Sequence, residues 1–228
     1  NSTVASIDNV NSAYWNPAGL MHVKNQELAL MHAAYFANIA NYDYAAFAMP
    51  IDEKSAFALS LIRFGVDDIM NTTDLIDKDG NIDYNRIKLF STADYAMNIS
   101  YARSTGIEGL NFGANAKIVR RLIGKFADSW GFGFDLGLQY ETNDWKFGLM
   151  ARDITTTFNT WSIDKKRLED IQDAIPGENQ ETPESTEITL PKLQLGVARN
   201  FELSEHFNLL SEANLHMRLA ETHDIISS

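Results

Sequence analysis

Cysteine is absent from this sequence of 228 residues. Without a thiol, the chain has neither a thiolate metal site nor a cysteine nucleophile. The absence also suits an oxidising or cell-surface location, where a stray thiol is a liability. Any chemistry in this chain therefore rests on oxygen, nitrogen or aromatic groups.

Long apolar runs and basic residues are scarce as well. No stretch approaches the roughly 18 to 20 consecutive apolar residues of a membrane-spanning helix, so a helical membrane protein is excluded. The chain has 19 Lys and Arg against 31 Asp and Glu, and its formal net charge is -12. This charge repels nucleic acid and leaves no basic patch, which excludes nucleic-acid binding. The length fits one domain or a part of one.

Strict alternation is the main feature of residues 129–141, SWGFGFDLGLQYE. Large apolar residues occupy every second position, namely Trp130, Phe132, Phe134, Leu136, Leu138 and Tyr140. A period of two indicates a β-strand with one apolar and one polar face. The polar face contains no Lys or Thr and consists of Ser129, Gly131, Gly133, Asp135, Gly137, Gln139 and Glu141. We expect the apolar face to meet lipid and the polar face to meet a crowded lumen, where glycines allow a plug to approach or the strand to curve.

Similar alternation recurs and predicts about nine strands. They are residues 27–36, 42–51, 55–64, 91–103, 109–122, 129–141, 145–156, 187–200 and 206–219. Many have about ten residues or more, against about five or six in globular proteins. About 9 to 11 tilted residues cross a bilayer. The predicted fold is therefore all-β, an antiparallel transmembrane β-barrel over residues 25–228.

The predicted connections alternate in length. They are short after the second, fourth, sixth and eighth strands, whereas residues 65–90 and 157–186 form long connections after the third and seventh. Both long connections therefore lie on one rim, as the extracellular loops of outer-membrane barrels do. A soluble up-and-down barrel could show the same parity. Within the second connection, residues 167–174 are predicted to form a short amphipathic helix, on either a partner-binding surface or a mobile cover.

Residues 1–24 do not follow the strand pattern. They are small and polar, and the Asn-Pro and Ala-Gly pairs at 16–19 are turn signals. Residues 11–20 also resemble the N-terminal hatch of FadL-like outer-membrane barrels. This resemblance implies that residues 1–24 form a hatch inside the barrel, with Tyr14 and Trp15 wedged into the lumen rather than binding a ligand. Since the chain does not begin with Met, we expect either that a signal peptide has been removed or that the chain starts inside a longer protein.

Charged residues of both signs fall on the predicted polar faces. They are Asp94, Lys117, Arg121, Asp135, Lys146, Arg152, Glu212 and Arg218. We interpret them as a salt-bridged lumen that holds the barrel in shape and pins the hatch. The alternative interpretation is a pathway for ions or solutes.

The sequence gives little support for a metal site or a catalytic site. Asp74, Asp77, Asp79, Asn81 and Asp83 surround Gly80, but an EF-hand alignment on this glycine puts Leu75 and Arg86 at ligand positions, so we predict an acidic solvated loop. The five histidines show no metal spacing, and no Gly-x-Ser-x-Gly elbow is present. A Ser/His/Asp triad assembled by folding is not excluded by sequence. We expect no enzyme, no metal and no cofactor.

Two stretches carry a resemblance to known proteins. Residues 11–20, with the motif Tyr14, Trp15, Asn16, Pro17, Ala18 and Gly19, resemble the N-terminal hatch of FadL-like outer-membrane barrels. The stretch from RFGVDD at 63–68 through NTT at 71–73, GNIDY at 80–84 and ADYA at 93–96 to SYAR at 100–103 resembles the PorV/PorQ family within that group.

The resemblance implies a Bacteroidota outer-membrane barrel of the type IX secretion and gliding kind. Its members dock to a secretion translocon and bind secreted cargo, whereas FadL-like relatives pass hydrophobic small molecules. The expected surroundings are outer-membrane lipid. The odd number of predicted strands and the final residues 224–228, DIISS, depart from the family pattern, and we expect both ends of the barrel to be missing from this chain. A soluble acidic β-domain is the third alternative.

Overall fold

The computed structural model describes residues 3–72, 75–76, 80–125, 127–155, 157–163, 186–204 and 206–218. Within these ranges the chain is almost entirely antiparallel β-sheet, which confirms the all-β class. Short helical turns occupy Ser12–Trp15 (α1), Pro17–His22 and Tyr84–Arg86. No helix in this part of the chain is long and apolar enough to span a membrane.

Eleven strands form one sheet in the described part of the chain. They are β1 (Glu27–Tyr35), β2 (Ala40–Asp52), β3 (Ser55–Asn71), β4 (Lys88–Ser104), β5 (Leu110–Ile123), β6 (Ala127–Thr142), β7 (Trp145–Arg152), β8 (Thr157–Ile163), β9 (Thr186–Thr189), β10 (Lys192–Ser204) and β11 (Phe207–Arg218). The order of hydrogen-bonded neighbours is β1-β2-β3-β4-β5-β6-β7-β10-β11, while β8 pairs with β6 and β9. The strands β1 and β11 therefore lie at the two ends of this order.

The prediction of nine strands is wrong in the region after β7. Residues 157–163, predicted to begin a long loop, form β8, and the predicted strand 187–200 is divided between β9 and β10. Pro191 lies at this division. It has no N–H to donate to a ladder and so interrupts the strand.

The predicted loop at 65–90 is shorter than expected. The strand β3 continues to Asn71, and β4 begins at Lys88. The helix predicted at 167–174 lies outside the described residues.

A break follows β7 within the predicted strand 145–156, because β7 ends at Arg152. The ladder of β6 with β7 ends at the pair Leu136 and Ala151, and its ladder with β8 ends at the pair Phe132 and Phe158. Asp153 has a φ of 55°, a left-handed conformation that does not continue a regular strand. We call residues 153–155 the sheet break.

The two faces of β6 point in opposite directions, as the alternation predicts. Phe132 and Phe134 are 58% and 50% exposed, whereas Asp135 and Gln139 are each 1% exposed. The strands β4 and β5 show the same arrangement, since their polar residues Asn98 and Asn115 are buried. The polar face of the sheet is therefore its interior, and the apolar face is its exterior.

Aromatic and charged residues border the exterior apolar face at both ends of the strands. The short-turn rim is the end that carries residues 53–54, 105–109, 143–144 and 206. Here the rings of Tyr140 and Trp145 stack on either side of Phe147, with centroids 6.4 and 6.3 Å away. Near the opposite rim, directly paired residues form a row across six strands, namely His32, Asp43, Arg63, Tyr95, Arg120 and Trp130. The exterior residues of β6 between these borders are apolar.

The N-terminal segment (residues 3–24) lies against the interior face. Its apolar side chains Val10, Ala13, Leu20 and Val23 are buried and form the core of the molecule with small residues of β2, β3 and β4. Alanines predominate on that side of the core, at positions 46, 48, 56, 58 and 102. Because alanine leaves room beside the sheet, the segment can pack there with its own larger side chains.

The N-terminal segment reaches both ends of the sheet order. The Val10 N–H donates to Glu27 of β1 at 2.8 Å, and the Val4 N–H donates to Glu212 of β11 at 2.8 Å. The turn Pro17–His22 packs on β2 to β6, between these two points. A short segment can touch strands from both ends and the middle on one face only if the sheet curves around it.

Candidate functional site

The motif predicted as the core of the hatch forms a tight corner inside the sheet. Helix α1 ends at Asn16, which has extended backbone angles, and Pro17 starts the following turn. The Asn16 side chain accepts the Ala18 N–H at 3.2 Å and so caps that turn. Asparagine at the cap and proline at the first position suit the start of a helical turn. The sequence Asn-Pro-Ala-Gly thus determines the corner locally.

Asn16 also ties this corner to the sheet. Its Nδ2 donates to the Val4 carbonyl oxygen at 2.8 Å and to the Leu138 carbonyl oxygen of β6 at 3.0 Å. The side chain is fully buried. Because both ends of the amide are satisfied inside the molecule, Asn16 joins two parts of the N-terminal segment to β6.

Glycines on the interior face provide the space for this contact. A Cβ at Gly137 would overlap Asn16 Oδ1, and a Cβ at Gly113 would overlap the Pro17–Ala18 backbone. The two glycines are directly paired across β5 and β6. On β7, a Cβ at Gly148 would overlap the Val4 carbonyl. Close approach of the segment, one of two reasons predicted for mid-strand glycine, therefore applies at Gly137.

Polar side chains of three strands bind the backbone of the segment. Gln139 Nε2 donates to the Ile7 carbonyl at 2.9 Å, and Asn115 Nδ2 donates to the Ala13 carbonyl at 3.1 Å. Arg152 donates to the Tyr14 carbonyl at 2.6 Å. These donors satisfy carbonyl groups that the irregular backbone leaves unpaired in the interior. The predicted role of Arg152 in pinning the segment agrees with this position.

Glu212 binds the beginning of the segment. Its carboxylate accepts the N–H groups of Val4, Ala5 and Ser6 at 2.8, 3.0 and 3.2 Å. The Ser6 hydroxyl donates to the same carboxylate. Three successive N–H groups directed at one anion form a backbone nest, which favours a carboxylate over a neutral side chain.

Lys117 lies in a buried charged cluster beside the sheet break. Its Nζ is 2.7 Å from Asp153 Oδ1 and 3.1 Å from Asp135 Oδ1. The Asp153 N–H also donates to Asp135 Oδ1, at 2.8 Å. The cluster thus fixes the break through one side-chain ion pair and one backbone hydrogen bond. Asp153 was missed by the sequence pattern because alternation gives it the parity of the apolar face, and only the break turns it inward.

The remaining predicted interior charges form separate local groups. Arg121 Nε is 3.2 Å from Asp94 Oδ1, and these two residues are directly paired across β4 and β5. Lys146 is 2.7 Å from Glu141, which also lies 3.5 Å from His22 in the segment. Arg218 is exposed and stands opposite Lys192. The eight predicted charges therefore do not converge on one site.

Tyr14 and Trp15 line a small cavity between the segment and the first two strands. Their rings meet edge to face with centroids 4.9 Å apart, and Tyr44 approaches Tyr14 at 6.4 Å. The Arg152 guanidinium lies 5.0 Å from the centroid of the Tyr14 ring. The cavity measures about 250 Å³ and is lined by Asn11, Tyr14, Trp15, Met31, Tyr42 and Tyr44. These aromatic side chains thus pack the segment against the first two strands and line the cavity between them.

The acidic loop at 74–83, predicted to be solvated rather than a calcium site, is described only in part. Asp74, Asp77 and Asp79 lie outside the described residues. Asp83 caps the turn Tyr84–Arg86 by accepting the Asn85 N–H at 3.0 Å. Among the side chains that the structure describes, no group of three or more His, Asp or Glu is arranged to hold a metal ion.

Comparison with protein-family models finds no match to this chain, and comparison with curated proteins finds none either.

Proposed function

We propose that this chain forms most of the wall and the hatch of a β-barrel in the bacterial outer membrane. The observation that carries the proposal is the inversion of the sheet, with Phe132 and Phe134 outside and Asp135 buried inside. Removing a Phe side chain from water is favourable by about 1.5 to 3 kcal/mol, so a continuous apolar exterior is costly in water. In acyl chains the same exterior is solvated.

The spacing of the aromatic borders supports membrane placement. Trp130 and Tyr140 lie ten residues apart on β6, with apolar exterior residues between them. At about 3.3 Å per residue this is about 33 Å along the strand, and a tilt of about 40° reduces it to about 25 Å. Outer-membrane barrels have an apolar band about 25 Å tall between aromatic girdles.

Within this class, we infer a structural or interaction barrel of the PorV/PorQ kind, acting in type IX secretion by binding the translocon, its cargo or both. The resemblance of residues 63–103 suggests the family. The hydrogen bonds that hold the N-terminal segment inside the sheet support a plugged barrel. Such a barrel would act by binding other proteins at its surface rather than as an open pore. Each buried hydrogen bond contributes about 1 kcal/mol, so releasing a segment held from β1, β5, β6, β7 and β11 requires several kcal/mol.

Extraction of the full-length protein from its native membrane tests this function. We expect it to require mild detergent and to copurify with a secretion translocon component or a secreted protein. Recovery in the aqueous fraction without detergent would contradict the membrane proposal. Recovery in detergent with bound fatty acyl lipid alone would contradict the secretion role and favour the next candidate.

A conduit for hydrophobic small molecules is the second candidate, because two observations favour it. The sheet break interrupts the wall at Asp153, and the aromatic cavity of about 250 Å³ lies behind the N-terminal segment. A FadL-like conduit needs both an opening in its wall and an apolar pocket. Substituting Tyr44 and Trp15 by Ala would then reduce the amount of copurified apolar ligand, whereas an interaction barrel would keep its protein partners.

A further inference from the structure

A groove lies on the short-turn rim between the β2–β3 and β4–β5 turns. Its volume is about 440 Å³, and it is lined by Lys54, Arg103, Ser104, Thr105, Gly106 and Phe112. Neither the interior charges nor the N-terminal segment contributes to this lining. The groove is therefore separate from the site described above.

One hydrogen bond between the two turns and one within the β4–β5 turn hold the groove in shape. The Ser104 N–H donates to the Lys54 carbonyl oxygen at 2.9 Å. The Thr105 hydroxyl donates to the Leu110 carbonyl oxygen at 2.9 Å. Because the backbone of both turns is fixed by these bonds, the lining residues are presented together without a ligand.

The lining combines positive charge with an apolar surface. Arg103 and Phe112 are direct cross-strand partners at the ends of β4 and β5, and Lys54 belongs to the adjoining turn. None of these lining residues is a carboxylate; Asp52, at the end of β2, accepts the Lys54 backbone N–H at 2.7 Å and interacts electrostatically with Arg103. Two cations next to one aromatic ring suit a molecule that carries an anionic phosphate beside an apolar part.

We propose that this groove binds an anionic glycerophospholipid, with Lys54 and Arg103 pairing with the phosphate and Phe112 contacting the glycerol and the first acyl carbons. The inference rests on the proposed membrane placement, in which the short-turn rim lies at the headgroups of the periplasmic leaflet. The stacked Tyr140, Phe147 and Trp145 border the apolar exterior at this same rim. A lipid seated there would have its charge at the groove and its chains along the apolar exterior.

Native mass spectrometry of the full-length protein in mild detergent tests the site, with phosphatidylglycerol and phosphatidylcholine as the two probes. We expect the protein to retain phosphatidylglycerol in preference to phosphatidylcholine. The double variant Lys54→Gln with Arg103→Gln should lower phosphatidylglycerol retention by roughly 30-fold, since each cation near a membrane surface contributes about a factor of five to binding an anionic lipid. The matched control, Arg86→Gln with Lys125→Gln, removes the same charge from the opposite rim and should retain the lipid.

Different measurements would contradict the membrane placement and the lipid site. Membrane insertion is measured first, by flotation of reconstituted vesicles, and a wild-type protein that does not insert contradicts the membrane placement. A protein that inserts but retains both lipids equally contradicts the lipid site. Equal loss in the control variant also contradicts it, since the effect would then come from net charge. A double variant that does not fold is replaced by Arg103→Lys with Lys54→Arg, which keeps the charge and is expected to keep the preference.

Discussion

The Glu212 carboxylate accepts the Val4 N–H at 2.8 Å, although 208 positions separate the two residues. This contact fastens the start of the N-terminal segment to β11. We expect Glu212→Ala to weaken the fastening by about 2 kcal/mol, because three N–H groups lose a charged acceptor. Hydrogen exchange of the Val4, Ala5 and Ser6 amides should become roughly 30-fold faster.

Glu202→Ala is the control for this variant, since Glu202 is exposed near the end of β10. It removes the same charge and should leave these amides unchanged. Unaltered exchange in the Glu212→Ala variant would mean that the carboxylate does not fasten the segment.

Lys117 Nζ lies 3.1 Å from Asp135 and 2.7 Å from Asp153, between the two carboxylates. We expect Lys117→Met to destabilise the protein by about 3 to 5 kcal/mol, because it breaks buried ion pairs with two carboxylates. The measurement is the denaturant midpoint of unfolding in detergent. Lys125→Met, at an exposed lysine, should change this midpoint little. Adding Asp135→Asn should restore part of the loss, and a double variant no more stable than Lys117→Met would contradict the proposed ion pair.

Gly137 faces Asn16 without space for a methyl group. We expect Gly137→Ala to displace the corner at Asn16 and to lower the free energy of unfolding by about 1 to 3 kcal/mol. Thermal unfolding measures the loss, and protease sensitivity of the N-terminal segment should increase. A Cβ at Gly106 would meet no atom within 4 Å, so Gly106→Ala is the matched control. Equal melting temperatures for both variants would refute close packing at Gly137.

Local pattern was sufficient to predict the strands before the sheet break and the two faces of β6. The side chains of β6 alternate along one strand, and burial of Asp135 with exposure of Phe134 follows from that period alone. The turn at Asn16 and Pro17 is likewise coded by adjacent residues. Such features need no knowledge of distant contacts.

Long-range contacts and the sheet break at Asp153 could not be predicted in this way. The contact of Glu212 with Val4 depends on curvature of the whole sheet, to which every strand contributes. Asp153 has the parity of an exterior residue, and its inward direction depends on a left-handed backbone conformation. Pro191 was a visible signal for dividing a strand, because proline cannot donate to the ladder.

The exterior of β6 permits a test of membrane depth with one substitution at three positions. Phe134 lies near the middle of the strand, between Trp130 and Tyr140 at its aromatic borders. In a bilayer, arginine costs about 2 to 4 kcal/mol at the midplane and about 0 to 1 kcal/mol near the interfaces. We therefore expect Phe134→Arg to reduce the yield of folded protein in lipid vesicles sharply, and Trp130→Arg and Tyr140→Arg to reduce it little.

Arginine at any exposed position of a water-soluble sheet would be tolerated, because water solvates the guanidinium wherever it stands on the surface. The three variants would then fold equally well. The dependence on position, rather than the loss at any one residue, thus distinguishes a lipid-facing exterior from a hydrated one. Equal folding of all three variants in vesicles would show that Phe134 does not face acyl chains.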